Sequence, residues 1–437
     1  MKRSRYVVKA PSHDGRSTLF YNLRNGLGFK VSSDHVTSFE QLASIEGLAS
    51  TLQRHGFVQR EGEADEVLAE YKRLRERPPF HLVIMPHQNC NFRCVYCYEK
   101  FDKNKMHPDV EAGLMRLVEE RLRSGRYRGM TVSWFGGEPL LAPDVIERLS
   151  ARFQQICAEQ GLPYVATLTS NGYFLNEENV EMLFRSHARR LQVTIDGTQE
   201  NHDRQRVRMG GQPTYERIVG NLRRMSESSE DFRVILRMNV GPENLRDAEA
   251  HIAEMKRLFG HDKRFMLYFH NIGHWGGSND ENVELCSESV ALQLTHMTLD
   301  QEMTANPASE WIRPNFTCYA ASPDSFVVGA DGMIYKCTVA LYDERNQVGQ
   351  LLADGTLELS QAKMELWTRG GTEDPTCRQC FFAPACQGDS CPLVRIDEGR
   401  RPCPSMKGEV REIVTLMERQ GGRFVELELL PSGQVRS

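Results

Sequence analysis

A chain of 437 residues is too long for one ordinary hydrophobic core and implies two or three domains. Its composition, 40% hydrophobic and 26% charged, is that of a globular protein in water, and a net charge of −5 gives no global electrostatic case for a nucleic-acid partner. No apolar run approaches a membrane span and no secretory core follows Met1-Lys2-Arg3, so no membrane partner is expected. The 12 cysteines are read as thiols of a reducing, cytoplasmic compartment.

Residues 1–79 carry no cysteine and no catalytic motif. Tyr6-Val7-Val8, Thr18-Leu19-Phe20-Tyr21-Asn22-Leu23 and Phe29-Lys30-Val31 read as strands, the last two separated by the turn Gly26-Leu27-Gly28. Ser38-Phe39-Glu40-Gln41 offers a helix start, with Leu42, Ile45, Leu48 and Leu52 at helical spacing behind it. A charged helix from about Ala64 to Arg77 ends at Pro78-Pro79, a natural boundary. Residues alone leave two readings of this module open: a cap on the neighbouring domain, or a docking surface for an extended peptide.

From His81 the pattern changes. Strands are expected at 81–86, 130–135, 164–170, 190–195, 232–240 and 265–270, with helices near 108–123, 142–160, 176–187, 213–228 and 244–259. Such alternation implies parallel strands joined by crossovers. Six units do not close an eight-stranded barrel, so the expected fold class is α/β, a partial (β/α)6 TIM-type barrel. Sites in such sheets lie at the C-terminal strand ends.

Four motifs fall there. After the first strand comes Cys90-Asn91-Phe92-Arg93-Cys94-Val95-Tyr96-Cys97, a C-x3-C-x2-C loop. After the second comes Gly136-Gly137-Glu138-Pro139, in which glycines allow close backbone approach to a ligand and the carboxylate can take an ammonium group. Ser170-Asn171-Gly172 and Thr194-Ile195-Asp196-Gly197 follow the third and fourth strands. Each is an ordinary turn signal alone, and together they mark one end of the sheet. Three thiolates in eight residues can converge on a soft metal centre. Zinc prefers four ligands and a cubane takes four cysteines, so three local ligands suggest a [4Fe–4S] cluster with one iron left open. Zinc and redox thiols remain alternatives on spacing alone.

The last third holds a second constellation: Cys318, then Cys337, then Cys377-x2-Cys380-x5-Cys386-x4-Cys391, and finally Cys403. Bare spacing is compatible with zinc knuckles. Of the other cysteines, Cys157 sits in the helical run Ile156-Cys157-Ala158 as a small hydrophobe, and Cys286 lies in a polar stretch.

The cysteine loop, with the aromatic Tyr96 before its last cysteine, resembles the signature of radical S-adenosylmethionine (SAM) enzymes, and the resemblance extends over roughly residues 80–410. It implies that Gly136, Gly137 and Glu138 hold the amine of SAM, that Tyr96 lies beside the adenine, that Thr194 contacts SAM, and that Arg206 reaches its carboxylate or ribose. Plain strand and surface ion-pair roles are the alternatives for Thr194 and Arg206. The C-terminal pattern is similar to the SPASM extension with two auxiliary [4Fe–4S] clusters, giving three with the one at Cys90, Cys94 and Cys97. By that pattern Cys377, Cys380, Cys386 and Cys403 complete one cluster. Cys318, Cys337 and Cys391 hold the other, whose fourth ligand is not evident unless Cys286 supplies it. This chain departs from the family in spacing Cys386 and Cys391 by four residues where the usual interval is three.

The domains expected are a winged-helix-like peptide-docking module over 1–79, a radical SAM core over 80–300 and a SPASM segment over 301–437. The function implied is maturation of a precursor peptide bearing a leader, by a 5′-deoxyadenosyl radical that abstracts hydrogen and leads to a thioether or carbon–carbon cross-link. The electron donor would be of flavodoxin or ferredoxin type, and no residue is assigned an acid–base role. A sulfatase-maturase type of formylglycine formation is the alternative. It is disfavoured because Thr338 follows Cys337 where those enzymes typically carry an aspartate. A non-catalytic iron–sulfur or zinc protein is the alternative from another class.

Overall fold

Short, mostly buried runs build β1 (Val7–Pro11), β2 (Ser17–Asn22) and β3 (Gly28–Ser32), an antiparallel meander with Val7 opposite Asn22 and Phe20 opposite Phe29. The computed structural model describes residues 1–32, 38–45, 47–277, 280–371, 374–429 and 435–436. Ser38 starts α1 (Phe39–Leu42) as the sequence predicts, its hydroxyl accepting from Gln41 N while the Gln41 side chain accepts from Ser38 N. The single helix expected here is two, because α2 (Leu48–Arg54) restarts after Gly47, whose φ is +82°. Phe20, Phe29, Phe39, Leu42, Leu48, Leu52 and Phe57 form the core of this module. The charged helix α3 (Glu63–Glu76) comes next.

The chain divides into two compact units: Met1–Glu76 with Pro307–Ser322 and Thr368–Ser437, and Arg77–Asn306 with Pro323–Trp367. The second unit begins with β4 (Phe80–His87) and a three-residue strand β5 (Phe92–Cys94), then α4 (Pro108–Arg123) and β6 (Met130–Gly136). It continues through α5 (Pro143–Glu159), β7 (Tyr164–Ser170), α6 (Glu177–Arg185), β8 (Ala188–Thr194), α7 (Gln199–Gln205) and β9 (Arg206–Arg208). After α8 (Tyr215–Ser226) come β10 (Arg233–Val240), α9 (Pro242–Leu245), α10 (Ala248–Phe259), β11 (Phe265–Asn271) and α11 (Val290–Asp300). All six expected strands are present and parallel, in the order β4-β6-β7-β8-β10-β11. Each crossover moves one place along the sheet, so every C-terminal strand end points the same way. This is the partial (β/α)6 barrel.

The sheet does not stop at β4. There β12 (Ser325–Val328) joins in parallel, and β13 (Met333–Tyr335), β14 (Gln347–Leu351) and β15 (Leu357–Leu359) extend it antiparallel before α12 (Gln361–Thr368). The junction is a partly buried polar seam, with the His81 ring between Ser133 Oγ (3.2 Å) and Ser325 Oγ (2.8 Å).

The first unit resumes with short helices α13 (Pro375–Arg378), α14 (Ala383–Cys386) and α15 (Pro392–Glu398), then the longer α16 (Met406–Arg419) packed along β1. Finally β16 (Phe424–Leu429) lies parallel on β3, with Leu427 opposite Val31, and β17 (Val435–Arg436) pairs with β16. In the described residues β3 is covered by β16, and β1 and β17 stand at the ends.

Candidate active site at the strand ends

Cys90, Cys94 and Cys97 lie in the loop after β4. The loop is held from one side by β5, which pairs antiparallel with β9 so that Cys94 faces Arg206, and by Val95 N donating to Gln205 O at 3.0 Å. From the other side Asn171 Nδ2 donates to Asn91 Oδ1 at 2.8 Å and lies 3.6 Å from Cys90 Sγ. Burial pushes the Cys90 thiol up to about 12 and raises Cys97 as well, each thiolate also disfavouring its neighbours. The Arg206 guanidinium opposes this rise at Cys90 in part, as a positive charge favours a thiolate.

The glycines at the end of β6, Gly136 and Gly137, are required by backbone crowding. Gly136 has φ of +131°, and a Cβ there would meet His87 O at 2.4 Å; on Gly137 it would meet Asn89 O at 2.4 Å. The two glycines thus lie against the end of β4 and the start of the cysteine loop, and both also line the pocket there. Glu138 is fully buried and takes three donors from its own chain: Leu140 N at 3.0 Å, Ser170 Oγ at 2.9 Å and Asn171 N at 2.7 Å. Its carboxylate thus ties the second strand-end turn to the third, while burial raises its pKa.

Tyr96 is the centre of a buried network. Its hydroxyl donates to Asp196 Oδ2 and accepts from Arg206 Nη1 at 2.5 Å and Asn239 Nδ2 at 2.9 Å; Asn239 N donates to Asp196 Oδ1 at 2.7 Å. Arg206 and Asp196 are 3.5 Å apart and buried, so the ion pair is not screened by water. Arg206 Nε is buried with no hydrogen-bond partner among the described residues, an unspent donor directed from a charged group. Cys90, Cys94, Cys97, Tyr96, Gly136, Gly137, Thr194 and Arg206 line one pocket, together with Ser170 and Asn171. Glu138 stands outside that lining. Asp196 and Asn171 were visible only as members of turn motifs. Asn239, a lone asparagine in an apolar strand, gave no sequence signal.

In the first unit Cys377, Cys380, Cys386 and Cys403 line a cavity of about 370 Å³ with Phe381, Phe382, Ala383 and Lys407. Asp374 caps α13, accepting from Thr376 N (2.7 Å) and Cys377 N (3.3 Å), and is bound in turn by Arg401 Nε at 2.5 Å, which ties the Cys403 segment to the Cys377 segment. Cys318 and Cys391 also belong to this unit, Cys337 to the other. Cys157 is buried and Cys286 half-buried. Among the described residues no group of three or more His, Cys, Asp or Glu could hold a single metal ion. A cubane has one iron for each cysteine and so spreads its ligands wider than one ion does. The two cysteine-lined cavities fit it in donor chemistry.

Three cysteines, two glycines, a tyrosine and an arginine thus meet at the C-terminal ends of a partial parallel barrel, where sheets of this kind bind their ligands. Residues 84–255 match the radical SAM superfamily, and this stretch is a radical SAM domain. The chain is 21% identical over 329 residues to a cysteine-type anaerobic sulfatase-maturating enzyme of Clostridium novyi, covering 68% of this chain and 84% of the relative. The solved structure of anSMEcpe with bound AdoMet and Kp18Cys peptide is similar, with a TM-score of 0.57, 18% identity, and coverage of 78% of this chain and 97% of that one. Streptococcus suis SuiB bound to precursor peptide SuiA matches with a TM-score of 0.52 and 13% identity, over 90% of this chain and 96% of that one.

Proposed function

We propose that this chain is a radical SAM peptide maturase. The observation that carries the reading is the convergence of Cys90, Cys94, Cys97, Tyr96, Gly136, Gly137, Thr194 and Arg206 on one pocket at the strand ends. Cys90, Cys94 and Cys97 would hold a [4Fe–4S] cluster with an open iron, and Arg206, through its unspent Nε, would take the SAM carboxylate. When bound, cluster and SAM supply reductive cleavage to a 5′-deoxyadenosyl radical, which removes a hydrogen atom from the substrate. Asp196 and Asn239 hold the Tyr96 ring, and Glu138 fixes the turns around it. These residues preorganise the pocket and keep water out of it. Cys377, Cys380, Cys386 and Cys403 would hold one auxiliary cluster, and Cys318 and Cys391, in the same unit, would contribute to the other.

The substrate class is a precursor peptide with a leader, and the product a thioether or carbon–carbon cross-link. Support comes from the relatives solved with bound peptide. A flavodoxin- or ferredoxin-type donor would supply the electron. A cytoplasmic location suits this chemistry, and among the described residues no helix is long and apolar enough to cross a membrane. The second reading, formylglycine formation, is favoured by the sulfatase-maturating relatives and opposed by Thr338 at the position of the expected acid.

The test is the mass of a peptide encoded beside the gene, co-expressed without oxygen, against a control with Cys90, Cys94 and Cys97 changed to Ala. Loss of two hydrogens per site, resistant to thiol alkylation and absent from the control, is expected. An aldehyde-trappable product would transfer the assignment to the formylglycine reaction. Absence of 5′-deoxyadenosine together with an unchanged peptide would overturn both.

A further inference from the structure

The turn Gln387-Gly388-Asp389-Ser390 joins Cys386 to Cys391 and contains the residue by which this interval exceeds the expected one. It is tightly built. Gln387 and Gly388 have φ of +55° and +73°, and a Cβ on Gly388 would lie 2.7 Å from Gly371 Cα. Asp389 is fully buried. A buried carboxylate persists only if it is partnered, and here the partners come from distant parts of the chain. Oδ1 accepts from Gly371 N at 3.0 Å and lies 3.5 Å from Arg395 Nη1. Oδ2 accepts from Tyr71 Oη at 3.0 Å, with Arg75 Nη1 at 3.8 Å.

Tyr71 and Arg75 both belong to α3, the helix that closes the N-terminal module. Arg75 Nη1 donates to Tyr71 Oη at 2.6 Å, which fixes the phenol to donate onward to Asp389, and Nη2 donates to Ala321 O at 3.1 Å. Ala321 N in turn bonds Cys318 O at 3.0 Å, and Cys318 N bonds Asp389 O at 3.0 Å. Asp389 N closes the turn on Cys386 O at 2.9 Å. One side of α3 therefore grips, through a single buried carboxylate and one arginine, the segments that carry Cys318, Cys386 and Cys391.

We propose that Asp389 is a positioning residue through which α3 of the N-terminal module holds these cysteine-bearing segments in the geometry the iron–sulfur centres need, so that the order of α3 and the loading of those centres are thermodynamically linked. The inference rests on the reading of these cysteines as cluster ligands. Linkage of this kind is reciprocal: if an ordered α3 favours loading, loading must stabilise α3 to the same extent. A merely structural hydrogen bond would lower stability without making the exchange of α3 amides depend on iron.

The experiment is hydrogen exchange on the full chain, with and without reconstituted clusters, in wild type, Asp389→Asn and Tyr71→Phe. In the wild type, amides of residues 67–76 are expected to exchange at least about fivefold more slowly when the clusters are loaded, the lower end of usual coupling energies. Amides of 248–259, in the other unit, serve as reference. In both variants the loading-dependent difference should shrink, and the EPR signal of the reduced auxiliary clusters should change in shape or midpoint potential. Tyr71→Phe removes one hydroxyl, so it carries the test if Asp389→Asn does not accumulate. Wild-type exchange that ignores loading, or variants with an unchanged difference and unchanged EPR, would overturn the inference. A wild-type protein that takes up no iron would instead overturn the ligand assignment beneath it.

Discussion

At the scale of single residues, the site depends on the absence of side chains as much as on their presence. A methyl group on Gly137 would sit 2.4 Å from Asn89 O and 2.9 Å from Gln88 O, both backbone atoms that cannot rotate away. The strain, typically about 1–3 kcal/mol for overpacking, would fall on the loop that ends in Cys90. Gly137→Ala is therefore expected to lose the change in cluster EPR that SAM causes, while the auxiliary signals remain. Gly220 is the contrast: it lies in α8 with nothing nearer its missing Cβ than Arg224 Nη1 at 3.8 Å. Gly220→Ala should raise Tm by about one or two degrees through about 0.4–1 kcal/mol of unfolded-chain entropy, without touching the site. The sequence made Gly136 and Gly137 conspicuous but could not say which backbone they approach. It also left the partners of Glu138 open, because a carboxylate buried by its own turns and one awaiting an amine look alike in one dimension.

At the scale of elements, long periodic stretches were legible and short ones were not. All six barrel strands and their helices carry buried apolar runs or helical spacing, and the structure has them within a few residues of the predicted bounds. The strands β12–β15, three to five residues each, are too short to show a period, yet they enlarge the sheet to ten strands among the described residues. Their attachment carries a pH signature. Burial, reinforced by Lys336, depresses His81 to about 4, against about 6.5 in an unfolded chain. Because the folded state resists the proton, the unfolded state binds more of it between these values. Stability contributed by neutral His81 is complete above about pH 6.5 and is lost as pH falls toward 4, by up to about 3 kcal/mol. Thermal melts of the second unit should show Tm falling over that window. His81→Gln, which retains a donor and an acceptor for Ser133 and Ser325 but cannot titrate, should flatten the fall. An unchanged slope would mean that His81 takes its proton within the native structure.

At the scale of the whole molecule, the cysteines were the most legible feature, since thiols in a reducing compartment cluster for metal chemistry rather than for bridges. What the spacing could not reveal is how the chain shares them out. The triplet Cys90, Cys94 and Cys97 lies in the unit built on the barrel, and the quartet Cys377, Cys380, Cys386 and Cys403 in the unit that joins both ends of the described chain. The triplet and the quartet lie in different units and share no cysteine, so they should load independently. Anaerobically reconstituted wild type is expected to bind about twelve irons per chain, four for each cubane. Changing the triplet to Ala should leave about eight and abolish 5′-deoxyadenosine formation, whereas changing the quartet should leave about eight while SAM still perturbs the remaining EPR signal. If removal of either set empties both, the two units fold around their iron together, and the division of labour between barrel and cysteine-rich segment would have to be abandoned. If iron stays near twelve in the quartet variant, these four cysteines are not ligands, and the apolar cavity they line must serve another purpose.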